Sequence, residues 1–276
     1  MKRKILPLVA VGAALAAAAA AFGAVGDVIS SFHIPRGPRI AGLCRDAEYV
    51  YLVVDTGTSK LLRTYNVNGS LVREIPLEES DNYAEEGDHS PKGSGYFALF
   101  ELAALPSEYM YVVSYKLATG SIVDTIYISA HTIYWEPSGF AYVPGSHYIY
   151  CAMWRREHGP HYVTRYTTTG TEVGRIERRC VSLGATPLYN SLEGEYVVIA
   201  DKPTWVYTSS GSLVGSFALP FYPSKSVCGP GAPSSYKTTF WCIMRINYED
   251  YCYQIDLGNT THVAPASLGR VKALFR

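Results

Sequence analysis

The feature that most constrains this chain is a repeat. A tyrosine, a short polar turn ending in glycine and a β-rich strand recur together. The copies are YNVNGSLVREI from Tyr65, YKLATGSIVDTI from Tyr115, YTTTGTEVGRI from Tyr166 and YTSSGSLVGSF from Tyr207. Successive tyrosines lie 50, 51 and 41 residues apart. A fifth, incomplete copy, YQIDLGNTTHV, begins at Tyr253, 46 residues further on. Near the start, GDVISSFHIP from Gly26 matches only the second half of the unit. Recurrence at this period means supersecondary units that bury their apolar faces against one another.

A second piece lies upstream of the turns: GLCRDAEYVYLVVD from Gly42, GFAYVPGSHYIYCA from Gly139 and PLYNSLEGEYVVIAD from Pro187. Each has an apolar strand, a polar turn and a strand with alternating tyrosines. Period-two alternation marks strands with one buried face. A unit of this length with four strands has the size of a propeller blade. With strands lettered A to D from the centre outward, the tyrosine-turn-glycine element is the C–D hairpin. The orphan at Gly26 is then a D strand with no A, B or C before it, and the last unit lacks a good D. The two halves complete one blade and close the ring, which removes exposed sheet edges. The expected fold is an all-β propeller of five four-stranded antiparallel blades. A sixth blade would follow if 77–95 or 221–240 hid further strands. A β-sandwich would not give the even recurrence, and a solenoid would not need split end units.

Composition agrees. The 276 residues are 48% apolar and 17% charged, with 23 Tyr, 24 Gly and 16 Pro spread along the chain. That suits many short strands joined by turns. The chain opens with Lys2, Arg3 and Lys4, then an apolar, alanine-rich run and a small-residue exit near Gly23. This is the pattern of a secretory signal over 1–24, with a retained anchor as the alternative. Residues 25–263 would form the propeller. The tail 264–276 would dock on it, either as a helix with Leu268, Val271, Leu274 and Phe275 on one side or as a strand. Export predicts a periplasmic, extracellular or cell-surface location, with no membrane span after cleavage. Net charge is zero, or −3 without the signal. That balance gives no electrostatic footprint for nucleic acid or an anionic membrane.

Six cysteines in an oxidising compartment favour disulfides. Cys242 and Cys252 flank IMRINYEDY, which would fold as a hairpin, and are the expected pair. Metal-site spacing of the C-x-x-C kind does not occur.

In a propeller the D–A and B–C connections share one face, and the A–B and C–D turns share the other. The C–D turns NVNG, LATG, TTTG and TSSG look like plain hairpin closures. The opposite face gathers longer, varied segments, and rigid scaffolds carry function in such loops. One is acidic. Its Asp81, Glu85, Glu86 and Asp88 are candidate Ca²⁺ ligands, since hard cations take several oxygens. A solvated surface loop is the plainer reading, because the spacing matches no EF-hand. A second cluster holds Trp154, Arg155, Arg156, His158 and His161, which Trp135 and Glu136 on the neighbouring loop could join. Aromatic faces beside guanidinium groups suit sugars or carboxylates. A surface hairpin with ion pairs is the alternative. Asp55 and Asp201 end equivalent B strands, where aspartate more often caps a turn than catalyses.

The strand pair Gly42-Leu43-Cys44-Arg45-Asp46-Ala47-Glu48-Tyr49-Val50-Tyr51 resembles the repeat style of secreted bacterial propellers of the NHL, SMP-30 and TolB-like groups. The likeness runs over roughly residues 26 to 262. It implies the propeller fold and spans lactonases, lyases and interaction modules. The metal ligands of the lactonases have no counterpart that can be placed here. The leading expectation is therefore a secreted, non-catalytic module that binds a protein or glycan through the D–A/B–C face. The alternatives are an extracytoplasmic lactonase, lyase or glycosidase with loop-face carboxylates, Ca²⁺-dependent or not, and a structural component of the cell envelope.

Overall fold

The computed structural model describes residues 28–35, 37, 39–46, 48–79, 82–103, 109–128, 135–143, 147–155, 162–178, 182–187, 195–201, 203–208, 210–219, 223–230 and 237–259. These residues form twenty strands and no helix. The chain begins with β1 (Val28–Ile34). Blade one is β2 (Arg39–Arg45), β3 (Tyr49–Asp55), β4 (Lys60–Asn66) and β5 (Leu71–Pro76). Blade two is β6 (Asn82–His89), β7 (Tyr96–Ala103), β8 (Met110–Lys116) and β9 (Ile122–Ile128). Blade three is β10 (Trp135–Val143), β11 (Tyr148–Arg155), β12 (Tyr162–Thr167) and β13 (Glu172–Glu177). Blade four is β14 (Ser182–Pro187), β15 (Glu195–Ala200), β16 (Thr204–Thr208) and β17 (Leu213–Phe217). Blade five is β18 (Pro223–Pro230), β19 (Lys237–Ile246), β20 (Glu249–Asn259) and, as its outer strand, β1. The first strand thus completes the last blade. The innermost strands β2, β6, β10, β14 and β18 touch in sequence, and β18 returns to β2. The five-bladed propeller is as expected. Both 77–95 and 221–240 do contain strands, but β6 and β18 are the missing innermost strands of blades already counted.

The repeat explains how this ring is held. Gly69, Gly120, Gly170 and Gly211 all have positive φ, between 73° and 92°. Each donates its N–H back to the residue after the repeat tyrosine (Asn66, Lys116, Thr167 and Thr208). Past the turn, the ladder skips Val72, Val123, Val173 and Val214, a bulge that recurs in four outer strands. Bulges bend and twist such edges, which discourages edge-to-edge pairing. Tyr65, Tyr115, Tyr166 and Tyr207 are all buried, each in a different apolar cluster between two adjacent blades. The core is therefore five interblade wedges rather than one central mass. In the fifth wedge the position belongs to Ile255, not Tyr253. Ile255 pairs with Val28 as Tyr65 pairs with Leu71, and it is fully buried. Both residues fall on the same side of β20, so alternation alone does not separate them.

The C–D turns are more than closures. A Cβ on Gly170 would collide with the Tyr127 carbonyl of blade two, and one on Gly120 with the Pro76 carbonyl of blade one. Glu78 N donates to Gly120 O at 2.9 Å, and Arg73 Nη2 donates to Leu117 O at 2.8 Å. Successive strands rotate by about 20–25°. The outer strand of each blade therefore runs across towards its neighbour and seats that neighbour's turn.

The expected disulfide does not form. The hairpin exists, with Asn247 and Tyr248 at φ 51° and 67°, both left-handed as a two-residue primed turn requires. That turn sets Cys242 opposite Tyr253 and Ile243 opposite Cys252. A one-residue offset places two side chains on opposite faces of a sheet. Cys242 packs between blades four and five, and Cys252 between blades five and one. Cys44, Cys151, Cys242 and Cys252 are buried free thiols.

Candidate functional site

Innermost strands start, and B strands end, on the face that carries the D–A and B–C connections. Two expectations about this face change. Glu85, Glu86 and Asp88 lie within β6, not in a loop. Pairing with the apolar strand β7 draws this polar stretch into the sheet. Asp88 is fully buried, and its Oδ2 accepts the Tyr142 N–H of β10 at 3.1 Å. It braces two innermost strands. Asp81 lies outside the described residues. Trp135 and Glu136 likewise belong to an innermost strand, β10, rather than to a loop.

The second cluster is partly brought together. In the β10–β11 ladder Trp135 faces Arg155 and Glu136 faces Trp154. Facing residues on an antiparallel pair have Cα atoms about 4.5–5.5 Å apart. Two tryptophans, an arginine and a carboxylate residue thus occupy two consecutive ladder rungs at the loop-face end of blade three. Arg156, His158 and His161 lie outside the described residues. Asp55 closes its B–C turn: Oδ1 accepts Gly57 N–H at 2.8 Å, and Oδ2 lies 3.7 Å from Arg39 Nη2. Asp201 follows β15, is buried, and its carbonyl accepts the Thr204 hydroxyl at 3.4 Å.

Beneath the face lies a group that sequence reading missed. Glu101 in β7 has a fully buried carboxylate, and Oε1 meets Lys60 Nζ of blade one at 3.2 Å and the Tyr115 hydroxyl at 2.8 Å. A buried carboxylate is tolerable only when paired and hydrogen-bonded. This one ties blades one and two together below their B–C turns. The signal was a single acid inside the otherwise apolar YFALFELA. Blade five contributes Tyr248, 84% exposed at the tip of its left-handed turn. Beside it, His33 Nε2 meets Glu249 Oε2 at 2.9 Å, and Arg245 clamps Asp250 with two bonds of 2.8 Å. Among the described residues no three His, Cys, Asp or Glu side chains are grouped to hold a metal, and no helix is long and apolar enough to cross a membrane.

No family model matches the chain, and no curated protein does. Among solved structures it is similar to BBS1N crystallised in complex with ARL6DN, at 14% identity over 84% of this chain and 69% of that one, with a TM-score of 0.43. It is also similar to a protein of unknown function from Bacteroides caccae, at 8% identity over 86% of this chain and 89% of that one, with a TM-score of 0.49. Neither likeness carries an activity or a partner across.

Proposed function

We propose that this chain is an exported, non-catalytic binding module, and that its protein or glycan ligand docks on the D–A/B–C end of the ring. The observation that carries this reading is the pair of rungs Trp135–Arg155 and Glu136–Trp154. Indole and guanidinium groups dominate binding hot spots because they offer large, stiff contact surfaces with directed donors. A β-ladder on a packed blade holds their backbones at fixed spacing, which lowers the entropy lost on binding. The other end of the ring supports the same choice, because its C–D turns are spent on interblade packing. The signal-like start and the NHL/SMP-30/TolB-like repeat style fit an extracytoplasmic location. The test is binding of the labelled mature protein to a glycan array and to isolated cell envelopes. Trp154→Ala and Arg155→Ala should each weaken the captured interaction about tenfold or more. Thr169→Ala, in a C–D turn, should leave it intact. Full binding by both loop-face variants would refute the proposal.

A further inference from the structure

We infer that the ligand of this face is a folded protein, and that Tyr248 at the tip of the β19–β20 turn is the anchor it receives in an apolar pocket. This inference rests on the binding-face reading above and narrows its ligand to a protein.

The observation is an exposed aromatic ring on a backbone that does not favour one. Tyr248 is 84% exposed, and among the described residues no other large apolar side chain exceeds 55%. Its φ of 67° lies in the left-handed region. A two-residue turn with both central residues left-handed favours Asn-Gly. Asn247, at φ 51°, follows that preference, and Tyr248 stands where glycine belongs. The other described non-glycine residues with positive φ are Asn247 and His147, types that tolerate it. Blade one keeps to glycine in its own B–C turn, with Gly57 at φ 83°. At position 248 the chain therefore strains its backbone and leaves a large ring in water, and neither favours folding. Strain that local structure does not explain points to function.

The ring stands on a stiff mount. The β19–β20 ladder runs unbroken from Thr239 opposite Asp256 to Ile246 opposite Glu249, next to the turn. Side chains alternate along β20. Asp250 shares a face with Cys252, which packs towards blade one, and there Arg245 clamps it through two bonds of 2.8 Å. Glu249 shares the other face with Tyr253 and Ile255, which pack towards blade four. There His33 of β1 meets Glu249 at 2.9 Å, and its ring lies 5.2 Å from that of Tyr251. The tip is thus braced on both sides, which lowers the entropy lost when a partner engages it.

The shape of this site selects the ligand. Small molecules bind in concave sites that enclose them. Tyr248 stands on a convex tip, so the pocket must come from the partner, and a folded protein supplies one. Tyrosine is enriched at interface hot spots, where an apolar centre is ringed by polar groups. The pairs His33–Glu249 and Arg245–Asp250 flank Tyr248 as such a ring. The same pairs disfavour a lipid surface. Each joins opposite charges, so the tip has no basic excess to attract anionic lipid.

In the test, photo-reactive benzoylphenylalanine replaces Tyr248, or Thr169 as the control, in the full-length chain expressed in the cells that produce it. Crosslinks are mapped by mass spectrometry, and the protein so identified is purified and its Kd measured by calorimetry. Position 248 should crosslink to one protein, at residues that line a pocket, and position 169 should not. Tyr248→Ala should weaken binding of that purified protein about tenfold or more, and Tyr248→Phe less than about threefold. Tyr248→Gly relieves the left-handed strain, so it should raise the urea midpoint while weakening binding as much as Tyr248→Ala does. A purely structural tyrosine would not move stability and binding in opposite directions. Crosslinks to lipid or glycan alone, no crosslink, equal crosslinking at 169, unchanged affinity in Tyr248→Ala, or a lowered midpoint in Tyr248→Gly would overturn the inference. If position 248 captures no protein but Trp154→Ala and Arg155→Ala still abolish binding to envelopes, the binding face stands and only the Tyr248 anchor falls. A protein crosslinked at 169, whose binding survives every loop-face variant, would sink both.

Discussion

Gly57 and Gly170 form a matched pair. Both have φ of +83°, so alanine suffers the same left-handed strain at each. That strain costs about 1–2 kcal/mol. They differ in surroundings. A Cβ on Gly57 has nothing within 4 Å, whereas one on Gly170 lies well inside 3.0 Å of the Tyr127 carbonyl oxygen in the preceding blade. An ordinary C···O contact is about 3.3–3.6 Å, so blade two or the turn must give by roughly 1 Å. Forcing such a shift into a packed interior costs about 1–3 kcal/mol. Gly57→Ala should therefore lose about 1–2 kcal/mol, and Gly170→Ala about 2–5 kcal/mol. The assay is urea unfolding of the mature domain, read as midpoint and slope by tyrosine fluorescence and circular dichroism. Equal destabilisation of the two variants, within about 0.5 kcal/mol, would refute the claim that the C–D turns hold neighbouring blades together.

Two further outcomes follow from burial. Burial pushes the thiols of Cys44, Cys151, Cys242 and Cys252 up, so the neutral form persists in the folded protein. Iodoacetamide should spare all four in the native state and label all four in urea without reductant. Labelling of Cys242 and Cys252 only after reduction would disprove the opposite-face register. Burial also raises the phenols of Tyr65 and Tyr166 in the folded state. Their stabilisation is then complete below the unfolded value of about 10 and is lost as pH climbs from there towards the folded value. The urea midpoint should fall between about pH 9.5 and 11.5, and less steeply in Tyr166→Phe. A flat midpoint over that range would count against buried, neutral tyrosines.

What was legible in the sequence is what interblade packing imposes. The turn glycines need a left-handed backbone, and the repeat tyrosine fills a wedge of fixed size, so both recur by residue type. What was hidden lies where side-chain alternation does not decide structure. NYAEEGDH looks like an acidic loop, and PSKSVCGP like a turn-rich one. Both are strands because apolar partners, β7 and β19, supply their ladders. For the same reason the repeat near Pro187 was framed one strand late. Its innermost strand is the unpatterned SLGATP before it. The cysteine pairing failed on a single residue of register, which the length of the turn fixes and the spacing of the cysteines does not.

The innermost strands are also where the blades stop resembling one another. At the level three residues beyond the tyrosine-facing position, β2 to β18 carry Gly42, Glu86, Gly139, Ser182 and Lys225 in turn. At the position that wedges the blades, the third strands of the same five blades carry Tyr65, Tyr115, Tyr166, Tyr207 and Ile255. The two sets sit in one five-fold arrangement and face the same backbone geometry. A structural demand that repeats around the ring selects a large, buried side chain each time, as four tyrosines and Ile255 do. Two glycines, a serine and two charged residues of opposite sign at one level answer demands that are not five-fold. Gly42 shows one such demand: a Cβ there would press on Leu99 and Gly87 of blade two, so this pair of blades approaches too closely for a side chain.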